Sequence, residues 1–545
     1  MIKAAREIIE LCTKIKTQRE FNRLKIIIAK KYGLKKILTN IEIANYATSE
    51  ERKQLHSLLT IKPVRTLSGV APIAVMTIPH KCPHGKCIYC PGGLNSEFGD
   101  VPQSYTGKEP ATRRAIRNNY DPYLQVFNRL EQYVVMNKVP DKAEIIIMGG
   151  TFLSLPTKYK NKFVMYLYKA MNDFSKIFYE KNILNLEKFH AFFETRGNLN
   201  DPERIKRIHK RILSYKKIST LEKEKIENEK AKIRCVGLVI ETRPDCCSEK
   251  HISQMLKLGC TKVELGVQTI YDDILRKIER GHTVAETIKA TKLLKDSGFK
   301  VNYHIMPGLV SKKKDIEAFK EIFKNQNFRP DMLKIYPCMV MKGTKLYYLH
   351  KQGKFNPLTT EKAASLIIEF KKIVPKYVRI MRVQRDIPTY ATFAGVDKTN
   401  LRQYIEEIMK KKKIRCHCIR CREIGRCPAK GKIKFKEFHY NASDGVEFFI
   451  SAEINDSLLG FCRLRFPRNN TALIRELHVL GEAVSIGMKG DVQHKGIGRK
   501  LMEIAEKVAK TYCKYKIVVI SGIGAREYYR KLGYRKEGPY MTKLV

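Results

Sequence analysis

The stretch Cys82-Pro83-His84-Gly85-Lys86-Cys87-Ile88-Tyr89-Cys90 places three cysteines at C-x4-C-x2-C, directly after the strand-like run Val75-Met76-Thr77-Ile78. Three thiols this close together cannot all pair as disulfides, and no fourth cysteine lies nearby to close a zinc shell. One metal coordination position would therefore stay open. An iron-sulfur cluster with one free iron fits this spacing best.

Such an open iron is the kind that S-adenosylmethionine chelates in radical enzymes, where an electron from the cluster cleaves the sulfonium to a 5′-deoxyadenosyl radical. The sequence therefore predicts a 4Fe-4S cluster on Cys82, Cys87 and Cys90, with S-adenosylmethionine as cofactor. An incomplete zinc site or three incidental thiols are the alternatives.

The chain is strongly basic: its 545 residues include 105 Lys or Arg against 55 Asp or Glu, a formal charge of +50. An excess of this size favours a polyanionic partner, and nucleic acid is the first candidate. A generally lysine-rich proteome is the alternative explanation for part of the excess.

Cysteine usage and hydropathy indicate the compartment. The 15 cysteines are odd in number and tightly clustered, which is typical of metal ligands in a reducing environment. The N-terminus lacks a signal-like apolar core, and no run approaches the roughly 18 apolar residues of a membrane span. We expect a cytoplasmic protein without a membrane partner.

The chain divides into four predicted units. Residues 1–60 show apolar positions at helical spacing and, over residues 1–36, eleven Lys or Arg against three acids, which indicates a basic helical region with a phosphate-facing surface; a solvated helix face is the alternative. Residues 61–395 alternate strand-like and helical stretches, typical of an α/β fold with a parallel sheet closed into a partial barrel. A basic, cysteine-rich connector spans 396–430, and an α+β domain spans 431–545.

The predicted barrel strands are Glu144–Met148, Cys235–Ile240, Lys262–Val267, Lys300–Ile305 and Met332–Tyr336. Ligands of such a sheet collect at the carboxyl ends of its strands.

Polar and glycine residues follow two of these strands. Gly149 and Gly150 would let backbone approach the methionine amino group of the cofactor. Glu241 offers a carboxylate for that ammonium and Arg243 a guanidinium for the carboxylate, although a mutual ion pair is the alternative. Gln268 and His304 are interpreted as hydrogen-bonded core groups.

The connector carries a second candidate metal site. Cys416, Cys418, Cys421 and Cys427 are the preferred ligands of a structural zinc ion, which can order a segment with little core of its own. His417 or a residue from elsewhere is the alternative fourth ligand. A second iron-sulfur cluster is the competing interpretation.

A glycine-rich run near the C-terminus predicts an acyl-CoA site. Gln493, Lys495, Gly496, Ile497 and Gly498 precede an amphipathic helical stretch, so that backbone N–H groups would hold a pyrophosphate. The Q-x-x-G-x-G spacing resembles the pyrophosphate loop of GNAT acetyltransferases. The strand residues Glu476, Leu477, His478 and Val479 would pair with pantetheine, and Tyr528 or Tyr529 would protonate the leaving thiolate while the other packs in the core.

Several further motifs identify a wider resemblance: Cys82 to Gly93 with its C-P-H and C-I-Y-C-P-G-G segments, M-G-G-T-F from Met148, E-T-R-P-D from Glu241, C-R-E-I-G from Cys421 and Y-Y-R-K-L-G-Y from Tyr528. Across nearly its whole length the chain resembles the catalytic subunits of Elongator in their archaeal single-chain form, which join a radical-SAM barrel to a GNAT domain.

The resemblance implies a tRNA uridine acetyltransferase that acts at C5 of the wobble uridine. It implies acetyl-CoA as acetyl donor, hydrogen abstraction from the acetyl methyl by the deoxyadenosyl radical, and addition of the carbon radical to uridine. It also implies that Lys142 contacts acetyl-CoA. The partners it implies are the tRNA anticodon stem-loop and an external electron donor, and a homodimer is one arrangement that the sequence allows.

Two other functions are compatible with parts of the sequence. A protein-lysine acetyltransferase would use Glu476 as general base, but a basic surface would repel basic tails. A tRNA-binding scaffold without chemistry would not need three intact ligand sets.

Overall fold

The computed structural model describes residues 1–59, 69–468, 470–481 and 496–545. Its strands are β1 (Val70–Met76), β2 (Gly93–Ser96), β3 (Gly99–Val101), β4 (Lys142–Met148), β5 (Tyr179–Glu180), β6 (Ile183–Leu184), β7 (Arg234–Thr242), β8 (Lys262–Gln268), β9 (Lys300–Ile305), β10 (Met332–Ile335), β11 (Arg379–Arg382), β12 (Lys434–Ala442), β13 (Gly445–Ile454), β14 (Ser457–Phe466), β15 (Thr471–Val479), β16 (Lys516–Val519), β17 (Arg535–Glu537) and β18 (Tyr540–Leu544).

The helices are α1 (Ile2–Leu11), α2 (Gln18–Lys31), α3 (Asn40–Ala44), α4 (Ser49–Gln54), α5 (His56–Leu59), α6 (Pro110–Arg117), α7 (Pro122–Val135), α8 (Thr157–Phe178), α9 (Leu186–Phe193), α10 (Pro202–Leu213), α11 (Leu221–Asn228), α12 (Glu249–Leu258), α13 (Asp272–Lys277), α14 (Val284–Asp296), α15 (Lys312–Lys324), α16 (Lys345–Lys351), α17 (Thr360–Ile373), α18 (Leu401–Lys411), α19 (Ile419–Arg422), α20 (Ile497–Thr511) and α21 (Arg526–Arg530). Of the helices in the described ranges, none is both long and apolar enough to span a bilayer.

A seven-stranded parallel sheet forms the first large domain, in the order β1-β4-β7-β8-β9-β10-β11. Each neighbouring pair is parallel and sequential, as expected for repeated βα units. All five predicted strands are present. Along β4, Ala143, Ile145 and Ile147 are fully buried under the helices, whereas the alternate residues face the inside of the sheet and stay partly exposed. The predicted partial barrel is thus confirmed.

The N-terminal helices α1 to α5 form a separate small unit with its own apolar core, which includes Ile8, Ile9 and Phe21. Two side chains attach this unit to the barrel domain. The Asn45 side-chain amide donates to the Thr195 carbonyl (2.8 Å), and the buried Arg52 donates to the Val134 carbonyl (3.2 Å). Basic residues remain exposed on its outer surface, as the charge pattern predicts: Lys16, Arg19, Arg23, Lys30 and Lys35.

The C-terminal domain is built on a second seven-stranded sheet, in the order β12-β13-β14-β15-β16-β18-β17. The strands β12 to β15 form an antiparallel meander, and β15 then pairs in parallel with β16. Leu501, Ala505 and Ala509 of α20 pack on this sheet at helical spacing. The sequence-predicted change from a parallel to a meander pattern is confirmed.

This second domain packs against the amino-terminal edge of the barrel sheet. Asp331, directly before β10, lies fully buried against Arg475 of β15, with oxygen–nitrogen distances of 2.5 and 2.8 Å. Arg475 also donates to the Phe299 carbonyl directly before β9 (2.7 Å). These contacts therefore lie at the amino ends of the barrel strands and not at their carboxyl ends.

Candidate active site

The cysteine loop lies at the carboxyl-terminal edge of the barrel, immediately after β1. Cys82, Cys87 and Cys90 are all buried. Gly85 closes a tight turn by donating its N–H to the Cys82 carbonyl (3.0 Å), and its φ of +91° is one that favours glycine. Gln103 clamps the turn, because its side chain accepts from the Cys82 N–H and donates to the Gly85 carbonyl.

Each of the three sulfur atoms faces a hydrogen-bonding group. The Ser104 N–H donates to Cys90 Sγ (3.1 Å), and the Thr151 hydroxyl lies 3.4 Å from Cys82 Sγ. His84 Nε2 lies 3.2 Å from Cys87 Sγ. Burial raises the pKa of the Cys82 and Cys90 thiols, but the Ser104 N–H lowers that of Cys90 and the Thr151 hydroxyl that of Cys82, so the donor set fits an anionic metal cluster.

The spacing of the sulfurs also bears on the kind of metal group. Four thiolates around one zinc ion would lie about 3.8 Å apart, given Zn–S bonds near 2.3 Å. Among the described residues, the groups whose ligand atoms all lie within 4.8 Å of one another do not include the three loop cysteines. At least two of the loop sulfurs therefore lie farther apart than the ligands of one bound zinc ion, a spacing that fits a multi-iron cluster better.

Gly149 and Gly150 follow β4 beside this loop. An added Cβ at Gly149 would lie 2.5 Å from Thr77 Oγ1, and an added Cβ at Gly150 would come within 3.7 Å of Cys82 Sγ. Their φ values, +119° and +96°, also favour glycine. Gly149 thus permits close packing against Thr77, and the bare backbone of Gly150 lies next to the cysteine loop.

Two buried polar groups at the neighbouring strand ends have no hydrogen-bonding partner in the described part of the chain. They are Thr242 Oγ1, at the end of β7, and Gln268 Oε1, at the end of β8. Gln268 also has a φ of +68°, a strained value for a residue with a side chain. The interpretation of Gln268 as a satisfied core group is therefore wrong, and these orphaned atoms fit a cofactor bound at this edge.

Glu241 lies inside the barrel within a charged network. Its carboxylate accepts from the Tyr105 hydroxyl (3.0 Å) and lies 3.4 Å from Lys334 Nζ. Lys334 also pairs with the buried Glu264, and burial alone would lower the pKa of this lysine, but Glu264 raises it. His304 Nε2 lies 3.0 Å from Glu264, so His304 is a satisfied group, as the sequence predicts.

Arg243 does not face an open ligand site. Its guanidinium forms a bidentate ion pair with Asp245 (both nitrogen–oxygen distances 2.9 Å) and donates to the carbonyls of Arg280 and Gly281. It is 2% exposed. Its side chain holds a loop in place, and its ionic partner is Asp245, so the alternative of a mutual ion pair between Glu241 and Arg243 is wrong.

Three connector cysteines do come together. The Sγ atoms of Cys416, Cys418 and Cys421 lie within 4.8 Å of one another, close enough to share one ion. Hydrogen bonds from Cys416 and Cys421 hold the pKa of the Cys418 thiol below its usual value. The buried Lys371 donates to Cys421 Sγ (3.6 Å).

The fourth predicted connector ligand, Cys427, is not part of this group. The chain turns back after α19, where the Cys427 N–H donates to the Glu423 carbonyl (2.8 Å) and the Ser457 hydroxyl donates to the Cys427 carbonyl (2.5 Å). His417 does not complete the group either, because its Nδ1 lies 3.7 Å from Asp456 Oδ2.

The strand β15 has the shape expected of an acyl-CoA strand. It pairs with β16 from Thr471 to Ile474, whereas Glu476 to Val479 pair with β14 on the other side, so β15 and β16 part after Ile474. The parting leaves backbone groups of Leu477, His478 and Val479 beside an opening. Gln493 and Lys495 lie outside the described residues, and Gly496 and Ile497 begin α20.

Glu476 lies at this opening but is not a free base. Its carboxylate accepts from Arg463 Nε (2.8 Å), and it is 9% exposed. Burial would raise the pKa of Glu476, but His478 and Arg463 hold it well below its usual value. A carboxylate so stabilised is a poor general base, which counts against the lysine acetyltransferase alternative.

The two tyrosines of α21 have different environments. The Tyr528 hydroxyl faces the start of α20, 2.8 Å from where a Cβ on Gly498 would lie, and Tyr528 is 40% exposed. Tyr529 is buried in the domain core against Tyr534, and burial raises its pKa strongly. Tyr528 is thus the tyrosine that faces the start of α20.

Sequence reasoning missed several groups at the barrel edge. Gln103 and Tyr105 come from the segment after the β2–β3 hairpin, and Lys334 from β10. No local sequence pattern indicates that these three residues belong to the site, because they reach it through long-range contacts. Arg280 stands in the R-G-H-T motif after α13, which resembles a radical-SAM sequence pattern, but its contact with Cys87 is visible only in the fold.

Family models match most of the chain. The ELP3 N-terminal domain matches residues 1–67, the Radical SAM superfamily residues 210–322, the Radical_SAM C-terminal domain residues 330–411, and the Acetyltransferase (GNAT) family residues 406–534.

Full-length relatives agree with these matches. A protein of Methanocaldococcus infernus named tRNA uridine(34) acetyltransferase is 49% identical over 93% of this chain and 91% of its own length. Human Elongator complex protein 3 is 39% identical over 96% of this chain and 93% of its own. A solved structure of the Methanocaldococcus infernus Elp3 with an N-terminal deletion has a TM-score of 0.71 at 42% identity, covering 88% of this chain and 100% of that one. The chain therefore belongs to the Elongator complex protein 3 family, with a radical-SAM domain and a GNAT domain in one polypeptide.

Proposed function

We propose that this protein modifies C5 of the wobble uridine of tRNA, taking an acetyl group from acetyl-CoA and leading toward 5-carboxymethyluridine. The observation that carries the proposal is the presence of two candidate sites, one in each domain, in a chain that matches, over more than nine tenths of its length, relatives named tRNA uridine(34) acetyltransferase. Neither site alone would explain why the other is present.

Cys82, Cys87 and Cys90 are the residues proposed to hold a 4Fe-4S cluster, which when bound would supply the electron that cleaves S-adenosylmethionine. Gly150 presents bare backbone beside Cys82, and Thr242 and Gln268 offer unpartnered polar atoms to a ligand. Glu241, 12% exposed at its side chain, is proposed to accept from the ammonium of that ligand. Because cleavage needs a reduced cluster, an external electron donor is part of the proposal.

The acyl-CoA site is proposed to lie between β15 and α20. Backbone groups of Leu477 to Val479 would pair with pantetheine, and the N–H groups at the start of α20 would hold the pyrophosphate. Lys142, at the amino-terminal end of β4, is partly exposed on the side of the barrel where the GNAT domain packs, which suits a contact with acetyl-CoA.

The two sites lie at opposite edges of the barrel sheet. The cluster loop follows the carboxyl end of β1, whereas the GNAT domain contacts residues at the amino ends of β9 and β10. A seven-residue strand such as β4 spans roughly 23 Å. We propose that the acetyl group travels along the inside of the barrel, where Glu144, Ile146 and Met148 are partly exposed.

The substrate is proposed to bind through the basic surfaces, with the anticodon stem-loop splayed so that one base enters the barrel mouth. The formal charge of +50 and the exposed basic residues of the N-terminal unit support a polyanion. A homodimer is not required, since both sites are built within one chain.

We also propose that Cys416, Cys418 and Cys421 bind a zinc ion, with Lys371 beside them.

The proposal is tested by incubating reconstituted protein without oxygen with tRNA, reductant, S-adenosylmethionine and acetyl-CoA, followed by mass spectrometry of the nucleosides. We expect a C5-modified uridine at the wobble position and no product on a tRNA with cytidine there. Acetylation of lysine peptides without any change in tRNA would contradict the proposal.

Tyr528 is proposed to protonate the CoA thiolate. Replacing Tyr528 with phenylalanine should lower acetyl-CoA turnover by roughly 100-fold, the usual contribution of a general acid. Tyr529→Phe is the matched control, because the neighbouring tyrosine is buried away from the loop. Equal rates for the two variants, measured as free thiol release at saturating acetyl-CoA, would count against this role.

A further inference from the structure

Arg280 is a buried cation without a carboxylate partner. It is 8% exposed, and among the described residues no Asp or Glu lies within ion-pair distance of its guanidinium. Its neighbour Arg243 takes Asp245 for itself. A buried guanidinium needs a compensating charge nearby, because desolvating an unpaired ion is expensive.

The anionic partner of Arg280 is the cysteine loop. Its Nη1 donates to Cys87 Sγ (3.6 Å), while Nε and Nη2 donate to the Gly266 carbonyl (3.2 and 2.7 Å). The carbonyl anchor fixes the plane of the guanidinium, so that one N–H edge stays directed at the sulfur. Cys87 thereby has a charged donor in addition to His84, which the other two loop cysteines lack in the contacts described above.

The backbone around Arg280 is shaped to admit this contact. An added Cβ at Gly266 would lie 2.3 Å from Arg280 Nη2, and an added Cβ at Gly281 would lie 2.5 Å from the Cβ of His84. The carbonyls of Arg280 and Gly281 both accept from Arg243, which holds the segment against the loop. The two glycines and Arg243 thus together fix a positive charge beside one cluster ligand.

We propose that Arg280 is a positioning residue that sets the reduction potential of the cluster through its contact with Cys87. The inference rests on the proposed cluster in this loop. A cluster core with three thiolates is anionic, and adding an electron increases its negative charge. A fixed cation at hydrogen-bond distance in a buried setting stabilises the reduced state more than the oxidised state and so makes the cluster easier to reduce.

The test is an anaerobic redox titration of the full-length, iron-reconstituted protein, followed by electron paramagnetic resonance. Arg280→Gln removes the charge and should shift the midpoint potential to a more negative value. Arg280→Lys keeps the charge and should shift it less. Gly266→Ala leaves Arg280 in the chain but displaces its guanidinium, so it should shift the potential in the same direction as Arg280→Gln.

Arg276→Gln is the matched control, because Arg276 is an exposed arginine on the neighbouring helix α13. An unchanged midpoint in Arg280→Gln with full iron content would overturn the inference. If Arg280→Gln loses iron, the midpoint potential of Gly266→Ala is measured instead, and an unchanged value with full iron content would likewise overturn the inference. Loss of iron from all three test variants with unchanged circular dichroism would also overturn it, since Arg280 would then hold the cluster rather than tune it. Failure of the unaltered protein to bind iron would instead contradict the proposed function.

Discussion

Replacing Cys90 with alanine is expected to abolish iron binding at the barrel edge and, with it, all wobble-uridine modification. Two thiolates would remain for a cluster that needs three, and the Ser104 N–H would lose the sulfur to which it donates. We expect activity to fall below detection, while acetyl-CoA affinity and thermal unfolding change little, because the GNAT site contacts the other edge of the barrel. Iron content, 5′-deoxyadenosine formation and modified nucleoside are the measurements.

Cys246→Ala is the matched control for this loss. Cys246 is also buried, at 7% exposure, and follows the barrel strand β7, yet it is not one of the three predicted ligands. Its replacement should leave iron content and 5′-deoxyadenosine formation close to those of the unaltered protein. Full iron content in Cys90→Ala, or equal loss in the two variants, would contradict the assignment of the cluster ligands.

The cysteine loop and the residues at the strand ends could be predicted from sequence because they follow local patterns. The spacing of Cys82, Cys87 and Cys90 and the alternation along the strands depend on residues close together in the chain. A parallel sheet places the ends of its strands at one edge, so Gly149 and Glu241 were expected near the cysteine loop. In the structure Glu241 lies on β7, and Gly149 directly follows β4.

The partners of individual charged side chains could not be predicted in the same way. Arg243 was expected to meet a cofactor, but Asp245, two residues away, competes for it and the loop carbonyls saturate it. Cys427 was expected to close the connector site, but hydrogen bonds to Glu423 and Ser457 direct its segment elsewhere. In both cases a few competing hydrogen bonds decide the outcome, and a one-dimensional pattern does not rank them.

The interface between the two domains was also outside the reach of sequence patterns, because its charges look like ordinary surface residues. Arg475 and Asp331 are both fully buried, as are Lys295 and Glu447 beside them. Opposite charges are matched across the interface: Asp331 of the barrel domain faces Arg475 of the GNAT domain, and Lys295 of the barrel domain faces Glu447 of the GNAT domain. Such an arrangement favours one relative placement of the domains, since any slip would leave a buried charge unpaired.

Replacing Asp331 with asparagine should destabilise the protein by about 3–5 kcal/mol, the usual cost of breaking a buried ion pair from one side. The variant keeps the size of the side chain but leaves Arg475 without one of its two carboxylate partners. The measurement is chemical denaturation together with limited proteolysis, because a chain of several domains need not unfold in one step. Glu203→Gln is the control: Glu203 pairs with Lys206 at 66% and 74% side-chain exposure, so it should change stability by less than about 1 kcal/mol.

The pH dependence separates loss of charge from loss of packing at Asp331. Burial would raise the pKa of Asp331, but Arg475, Lys295 and Arg463 hold it well below its usual value. A carboxylate with a depressed pKa stabilises the folded state fully above its unfolded pKa, near 3.9, and this contribution is lost as the pH falls toward the folded value. The stability difference between the unaltered protein and Asp331→Asn should therefore be constant from about pH 5 to pH 8 and shrink below about pH 4. A difference independent of pH down to acid unfolding would mean that shape rather than charge at Asp331 joins the domains.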